Sequence, residues 1–337
     1  MTYGCHMGKS ALIIGGTGQL GVAAAGRLGR AGWDVTATYR GDPPADLWGA
    51  TRSIRLDHAD SAALLAAARG RDLVLDTAAF DAENATQLAG LAGDVGSLVV
   101  ISTGMIYERA PDARPLTEQS PVISATGMSY PAAKARLERA LLAIDDLPVS
   151  ILRPGAIHGP HTTELREWFF IKRVFDGRRS VLLAERGGRP LSTSATANVA
   201  ELVLLCAEQP GRRVLNAVDE QAHSPAEIAR LVFALMQHDA EVHTFAGPPR
   251  GAAGASPWDR GQSEVLSMAA AREQLGYRPV VSYVDGLATD IRWATDAVTA
   301  AQERGQTWRQ VFPYTAARHG ERDWFRYAEE DAFLFRP

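Results

Sequence analysis

The first half of the chain alternates short apolar runs with amphipathic or alanine-rich stretches. SALIIGG (residues 10–16) is an apolar run ending in glycines and predicts a buried strand. QLGVAAAGRLGRAG (19–32) predicts a helix closed by glycine. DVTATYR (34–40) and SIRLD (53–57) predict the second and third strands, followed by an Ala/Leu helix over 61–70. DLVLDTAAF (72–80) and SLVVIST (97–103) predict the fourth and fifth. A helix opens at Tyr130, with Pro131 in the first turn, where no N–H bond is lost. PVSILRPG (148–155) returns to strand. Strands alternating with helices specify an α/β fold of parallel β-α-β units, its sheet covered on both faces.

After Gly159 the rhythm changes. The pattern predicts helices over 164–177 and 194–209, and a strand over 212–218 that rejoins the main sheet. The Gly/Pro-rich stretch 246–257 is a loop. The aromatic-rich tail, 321–335, packs either on its own domain or on a subunit partner.

With 337 residues, 46% of them hydrophobic, the chain can bury a sizeable core and suits two domains. A net charge of −4 without long single-sign runs argues against a broad nucleic-acid or membrane footprint. Cys5 and Cys206 form no motif, which suits a reducing, cytoplasmic setting. His158 and His161 are close, but nothing completes a metal site around them, so no metal is expected. No apolar run approaches the ~18 residues of a membrane span. The N-terminus does not read as secretory, and Met7 is taken as the natural start.

GGTGQLG follows the first strand and opens the first helix, with Gly15, Gly18 and Gly21 three apart. Gly15 allows a tight turn, Gly18 lets backbone approach a pyrophosphate, and Gly21 lets helix pack on strand. Arg40 ends the second strand, where it can pair with the 2′-phosphate of NADP or simply be solvated. NADP(H) is the preferred cofactor on that reading, with NAD(H) the alternative. Asp57 ends the third strand, either in reach of an adenine ring or as the cap of the next helix.

Thr103 ends the fifth strand, Tyr130 starts a helix, and Lys134 lies one turn on. In open α/β sheets ligands bind beyond the C-terminal strand ends, so Thr103 should lie close to a nicotinamide. Reducing a carbonyl leaves an alkoxide that needs a proton. A tyrosine can donate it, but its pKa of about 10 must fall by ~3 units, worth ~4 kcal/mol, to work near neutrality. A lysine ammonium four residues along the same helix face supplies part of that, and a threonine hydroxyl can hold the substrate oxygen. Lysine is scarce, occurring only at 9, 134 and 172, so one at this position is informative.

These motifs together resemble the extended short-chain dehydrogenase/reductase family, the NAD-dependent epimerase/dehydratase group. GGTGQLG resembles its nucleotide loop, ISTGMIY (101–107) its catalytic strand end and YPAAK (130–134) its Tyr-x-x-x-Lys. LRPGAIHGP (152–160) and the segment 275–293 resemble its later motifs. The resemblance spans roughly residues 9–295 and implies a Rossmann-type doubly wound parallel sheet with a smaller α/β C-terminal substrate domain. The dinucleotide domain would take 7–157, completed by 194–220. Residues 158–193 and 221–337 would form the substrate domain and tail. The resemblance also implies cofactor contacts from Gly15, Thr17, Gly18, Gln19, Leu20, Ala78, Tyr130, Lys134 and Pro154, besides Arg40 and Asp57, with Thr103, Tyr130 and Lys134 catalytic. A homodimer is compatible with it.

Three departures matter. Ala156 stands where sugar-nucleotide members usually carry Asn, Gly104 and Met105 replace the Asp-Glu of the 4,6-dehydratases, and Asn198 replaces an expected Asp. They shift weight toward an NAD(P)-dependent oxidoreductase acting on a carbonyl/alcohol pair of a small polar metabolite. An epimerase of a sugar nucleotide is the alternative, and a non-catalytic dinucleotide- or RNA-binding protein a third. Trp168, Phe169 and Phe170 read as core rather than pocket lining. Arg166, Arg173, Arg178, Arg179 and Arg189 either clamp an anionic substrate or lie on a solvated face.

Overall fold

A computed structural model describes residues 8–42, 52–108, 115–258, 264–320 and 324–335; Cys5 and Met7 lie outside them. The strands are β1 (Ser10–Ile14), β2 (Asp34–Tyr39), β3 (Arg52–Arg55), β4 (Leu73–Asp76), β5 (Leu98–Ile101), β6 (Val149–Pro154), β7 (Ala156–His158), β8 (Ser180–Leu183), β9 (Thr193–Ala195), β10 (Arg213–Ala217) and β11 (Glu241–Thr244). The helices are α1 (Gln19–Arg30), α2 (Ser61–Ala68), α3 (Ala82–Ala89), α4 (Tyr130–Leu142), α5 (Trp168–Phe175), α6 (Thr196–Glu208), α7 (Pro225–Leu235), α8 (Ala269–Leu275), α9 (Tyr283–Glu303), α10 (Trp308–Val311), α11 (Pro313–Gly320) and α12 (Tyr327–Leu334).

Seven strands form one parallel sheet in the order β10-β6-β5-β4-β1-β2-β3. Order reverses between β1 and β4, where a crevice opens at the C-terminal strand ends. Alternation along each strand explains why both faces are covered. Ala11 and Ile13 of β1 enter the core beneath α1, α6 and α8, while Leu12 and Ile14 enter the core beneath α2, α3 and α4. β10 pairs parallel with β6, as its sequence predicts.

A smaller C-terminal α/β region has its own core, in which Trp168, Phe169 and Phe170 are buried. They are core and do not line the large cavity described below. Two short two-stranded sheets, β11-β8 and β7-β9, belong to this half. Two predicted helices start later than their sequence suggests. The one expected at 164 begins at Trp168, and the one expected at 194 begins at Thr196 because Ser194 and Ala195 pair with β7. Among the described residues no helix is long and apolar enough to cross a membrane.

The tail packs on its own chain. Arg173 of α5, wholly buried, pairs with Glu330 of α12, and its guanidinium lies 3.8 Å over the Phe169 ring. Arg178 pairs with Asp331. These two arginines are therefore spent on holding α12 rather than on a substrate. Arg179 pairs with an exposed Asp239, and Arg189 is exposed.

Candidate active site

The turn after β1 has the form an approaching phosphate needs. Gly15 has φ +79°, a left-handed conformation that suits glycine. A Cβ on Gly21 would lie 2.5 Å from the Gly15 carbonyl oxygen, so α1 can start this close to the strand only with glycine there. Gly18 caps α1 without any side-chain hydrogen bond, and no acidic residue occupies the first turn. The helix thus presents open N–H donors and an uncompensated positive dipole end. Thr17 and Gly18 are exposed, Leu20 is buried, and Gln19 is half-buried, with an Oε1 that has no partner among the described residues. The glycine cradle and this waiting Gln19 oxygen fit a bound dinucleotide.

At the next strand ends the placements are mixed. Arg40 is exposed beyond β2 and accepts, through its carbonyl, a bond from Arg55 Nε at 3.2 Å. Asp57 is exposed and does not cap α2. Asp60 does so, accepting from the Ala63 N–H at 3.0 Å, because it stands immediately before the first helical residue. Ala78 is exposed beside β4, its N–H bonded at 2.8 Å to the buried Asp76. Asp76 also binds His58 at 3.0 Å, and this bond raises the imidazole pKa despite partial burial. The His58–Asp76 pair was not legible in the sequence, since 18 residues separate its members.

The catalytic candidates converge. Thr103 follows β5, and its hydroxyl accepts from the Met105 N–H at 3.2 Å; it lines the same cavity as Tyr130. Ser129 caps α4, placing Tyr130 and Lys134 on successive turns of one face. The Lys134 ammonium, buried, lies 5.8 Å from the centre of the Tyr130 ring. It donates to the carbonyls of Ala79 at 2.6 Å and Ile101 at 2.9 Å, tying the ends of β4 and β5 to α4. Burial pulls the Lys134 pKa down to about 8, against the attraction of Asp76 and Glu138. Burial raises the Tyr130 pKa, and the Thr103 hydroxyl opposes it. Arg153, one residue before Pro154, is engaged by Glu138 and stacks 4.8 Å over Tyr107, so it braces the sheet rather than reaching the cavity.

Thr103, Tyr130, Gln19 and Pro154 line one cavity of about 810 Å³. Its far side comes from the C-terminal half, including Thr162, Glu164, Arg166, Ser192, Tyr314 and Arg318. Of the five arginines singled out in the sequence, only Arg166 reaches it. Ser102 also lines it and was overlooked; its Oγ is buried with no partner among the described residues. Its position beside Thr103 at a strand end was the available signal. Tyr314 and Arg318 sit in a segment without any recognisable motif.

Asn198 has a structural role. Its Nδ2 donates to Asp219 at 2.8 Å and to the Val281 carbonyl at 3.0 Å, while its Oδ1 accepts from the N–H groups of Val280 and Val281. An aspartate would lose both donors and face Asp219. Asp219 in turn binds His158, whose other ring nitrogen meets Asp290, both inside the protein.

Several solved structures share this architecture. MoeE5 in complex with UDP-glucuronic acid and NAD is similar over 85% of this chain and 99% of its own, with 22% identity and a TM-score of 0.69. UDP-glucose 4-epimerase of Thermotoga maritima, solved with UDP-glucose, is similar over 86% and 99%, with 18% identity and a TM-score of 0.70. UDP-glucuronic acid 4-epimerase of Bacillus cereus, in complex with NAD, covers the same shares at 18% identity and a TM-score of 0.67. No curated protein sequence matches the chain. The model of the NAD dependent epimerase/dehydratase family matches residues 11–210, and with the phosphate loop and the Thr103–Tyr130–Lys134 set inside that span, the chain belongs to this family.

Proposed function

We propose that the protein is an NAD(P)-dependent oxidoreductase acting at a carbonyl/alcohol carbon, with Tyr130 as general acid/base. The observation that carries this reading is the shared cavity, lined both by Gln19 at the phosphate loop and by Thr103 and Tyr130. The nicotinamide, when bound, supplies or accepts the hydride. Thr103 holds the substrate oxygen, and Tyr130 gives that oxygen its proton or removes it. Burial alone favours the neutral phenol. The Lys134 charge, 5.8 Å from the ring, works the other way. A positive charge this close favours the phenolate over the phenol. With its own pKa near 8, Lys134 is still charged at neutral pH. On this reading residues 7–157 with 194–220 hold the dinucleotide, and 158–193 with 221–337 shape the substrate side.

Gly104 and Met105 carry no acid or base, so a dehydratase elimination lacks its groups next to Thr103. An epimerase needs only the hydroxyl set already present, and the names of the T. maritima and B. cereus neighbours favour it as the second reading. Exposed Arg40 and Arg55 at adjacent strand ends suit the 2′-phosphate of NADP, whereas MoeE5 and the B. cereus enzyme were solved with NAD. Turnover of NADH and NADPH by parent and Tyr130→Phe across a carbonyl panel tests the assignment. The variant should lose at least about a hundredfold in rate. Parent-like turnover by Tyr130→Phe removes Tyr130 from the mechanism. Epimer interconversion by a tightly held cofactor, without net consumption, selects the epimerase.

A further inference from the structure

Resting on that reading, we propose that Asp76 is a positioning residue for the proton-transfer pair: its buried carboxylate fixes the turn that receives Lys134 and supplies the counter-charge that keeps Lys134 an ammonium. Asp76 ends β4 and is wholly buried. Its Oδ1 accepts from the N–H groups of Ala78 and Ala79, both at 2.8 Å. Ala79 in turn offers its carbonyl to Lys134 Nζ at 2.6 Å. One residue thus gives its N–H to Asp76 and its C=O to Lys134. The second Lys134 bond goes to the Ile101 carbonyl at 2.9 Å. Carbonyls orient a buried ammonium but leave its charge uncompensated, and burial then favours the neutral amine.

Asp76 is the carboxylate placed to oppose this. Lys134 is attracted by two carboxylates, Asp76 and Glu138. Glu138 is committed elsewhere, since both its oxygens accept from the buried Arg153. Among the described residues no arginine or lysine bonds to Asp76, and its Oδ2 meets only His58 Nε2, at 3.0 Å. All these are bonds that an ionised carboxylate accepts. The surroundings hold the turn from its other side. His58 Nδ1 lies 3.4 Å from Asn84 Nδ2, and the His58 carbonyl accepts from Gln87 Nε2 at 2.9 Å. Asn84 Oδ1 accepts from the Phe80 N–H at 2.8 Å, one residue past Ala79. The Phe80 ring, 5.7 Å from that of Tyr130, is carried by the same turn.

The two roles of Asp76 predict opposite responses. Asp76→Asn keeps the Oδ1 acceptor and removes the charge, so burial prevails and Lys134, now near 8, loses its proton at lower pH. A turn that merely loosens admits water to the ammonium and returns it toward the ordinary ~10.4. The direction of the change therefore separates a counter-charge from a structural support.

The test is an NMR titration of the full-length chain labelled with ε-13C lysine. Lysine occurs only at 9, 134 and 172, so three signals arise, and Lys134→Arg assigns the one of interest. In Asp76→Asn the Lys134 midpoint should fall by at least about one unit, with Lys9 and Lys172 unmoved as internal references. A midpoint that stays or rises overturns the proposal. Lys134→Met supplies a second reading that does not depend on how Asp76→Asn folds. With one cation removed from the shared carboxylate, the His58 ring, assigned with His58→Gln, should titrate at least about half a unit higher. Asp57 and Arg40, which also face His58, are unchanged in that comparison. A His58 midpoint that does not move overturns the shared carboxylate. In carbonyl turnover with NADH or NADPH, Asp76→Asn should lose about fivefold at pH 8 and almost nothing at pH 6, where Lys134 is charged in both proteins. A pH profile identical to the parent's overturns the positioning role. No turnover by the parent refutes the oxidoreductase reading and leaves Asp76 to be judged by the two titrations.

Discussion

His158 offers the sharpest quantitative test of the fold. Its ring is 2% exposed, and both nitrogens meet carboxylates, Asp219 at 2.9 Å and Asp290 at 2.8 Å. With both carboxylates ionised, the two acceptors call for two N–H donors, which is the imidazolium form; burial raises the Asp290 pKa, so a proton on Asp290 is the competing arrangement. Burial by itself would favour the neutral ring, but the bonds and charges of Asp219 and Asp290 prevail and raise the pKa to about 10. Against an unfolded value of about 6.5 that is ~3.5 units, or ~5 kcal/mol of stability. Because the folded pKa is raised, this contribution is fully present below about pH 6.5 and is lost as pH climbs toward 10. Other buried groups face the ring: Glu167, pushed up to about 7 by burial, and Tyr283, raised well above its usual value. Lys134, lowered to about 8 by burial, titrates in the same window. A difference between parent and His158→Gln cancels what they share. Urea unfolding followed by circular dichroism from pH 6 to 10 should show the variant less stable by about 3–5 kcal/mol at the acid end, since two buried carboxylates lose their counter-charge. The gap should close as pH approaches 10. A gap under about 1 kcal/mol, or one that does not change with pH, refutes the imidazolium.

Two further substitutions probe the loop and the polar cluster. Asn198→Asp removes two donors and sets a carboxylate against Asp219, so it should cost about 2–4 kcal/mol at neutral pH in the same unfolding assay, whereas a neutral effect would mean the amide bonds are dispensable. Gly21→Ala drives a Cβ to 2.5 Å from the Gly15 oxygen, so NADH affinity measured by fluorescence should fall at least about tenfold, and wild-type affinity would show that α1 can retreat at no cost to the cradle.

The centre of the parallel sheet was legible because β1, β4 and β5 are buried on both faces and read as short apolar runs, while the edge strand β3 is mostly exposed. Thr103, Tyr130 and Lys134 were legible because strand-end and helix-start positions follow directly from that reading, and one cavity receives the first two. What escaped depends on contacts distant in sequence. Strands β7 and β9 have three residues each, too few for any periodicity, and Ser194 looked helical until its partner strand was known. The helix α3 mixes Ala, Glu, Asn and Gln without a continuous apolar stripe, and its start is fixed by the capping box of Asp81 and Asn84. Asp57 reads in the sequence as a cap of α2, but the helix starts at Ser61 as its sequence suggests, and Asp60, the residue immediately before it, makes the cap. The His158 cluster joins residues 61 and 132 positions apart, and no local pattern announces such a pair. Asn198 reads as a departure from a motif, yet it satisfies four hydrogen bonds at the centre of that cluster.

The return of the chain to the sheet at β10 sets a timetable. Residues 103, 130 and 134 leave the ribosome first, but the sheet that aligns them lacks its edge strand until Ala217 has emerged. The wall formed by Tyr314 and Arg318 follows about a hundred residues later, ~5–20 s at ordinary rates of synthesis. For that interval the growing chain carries the glycine turn after β1 and the Tyr130–Lys134 helix start, with one side of the cavity open. A dinucleotide captured then would stabilise the half-made protein by mass action before any substrate could be held.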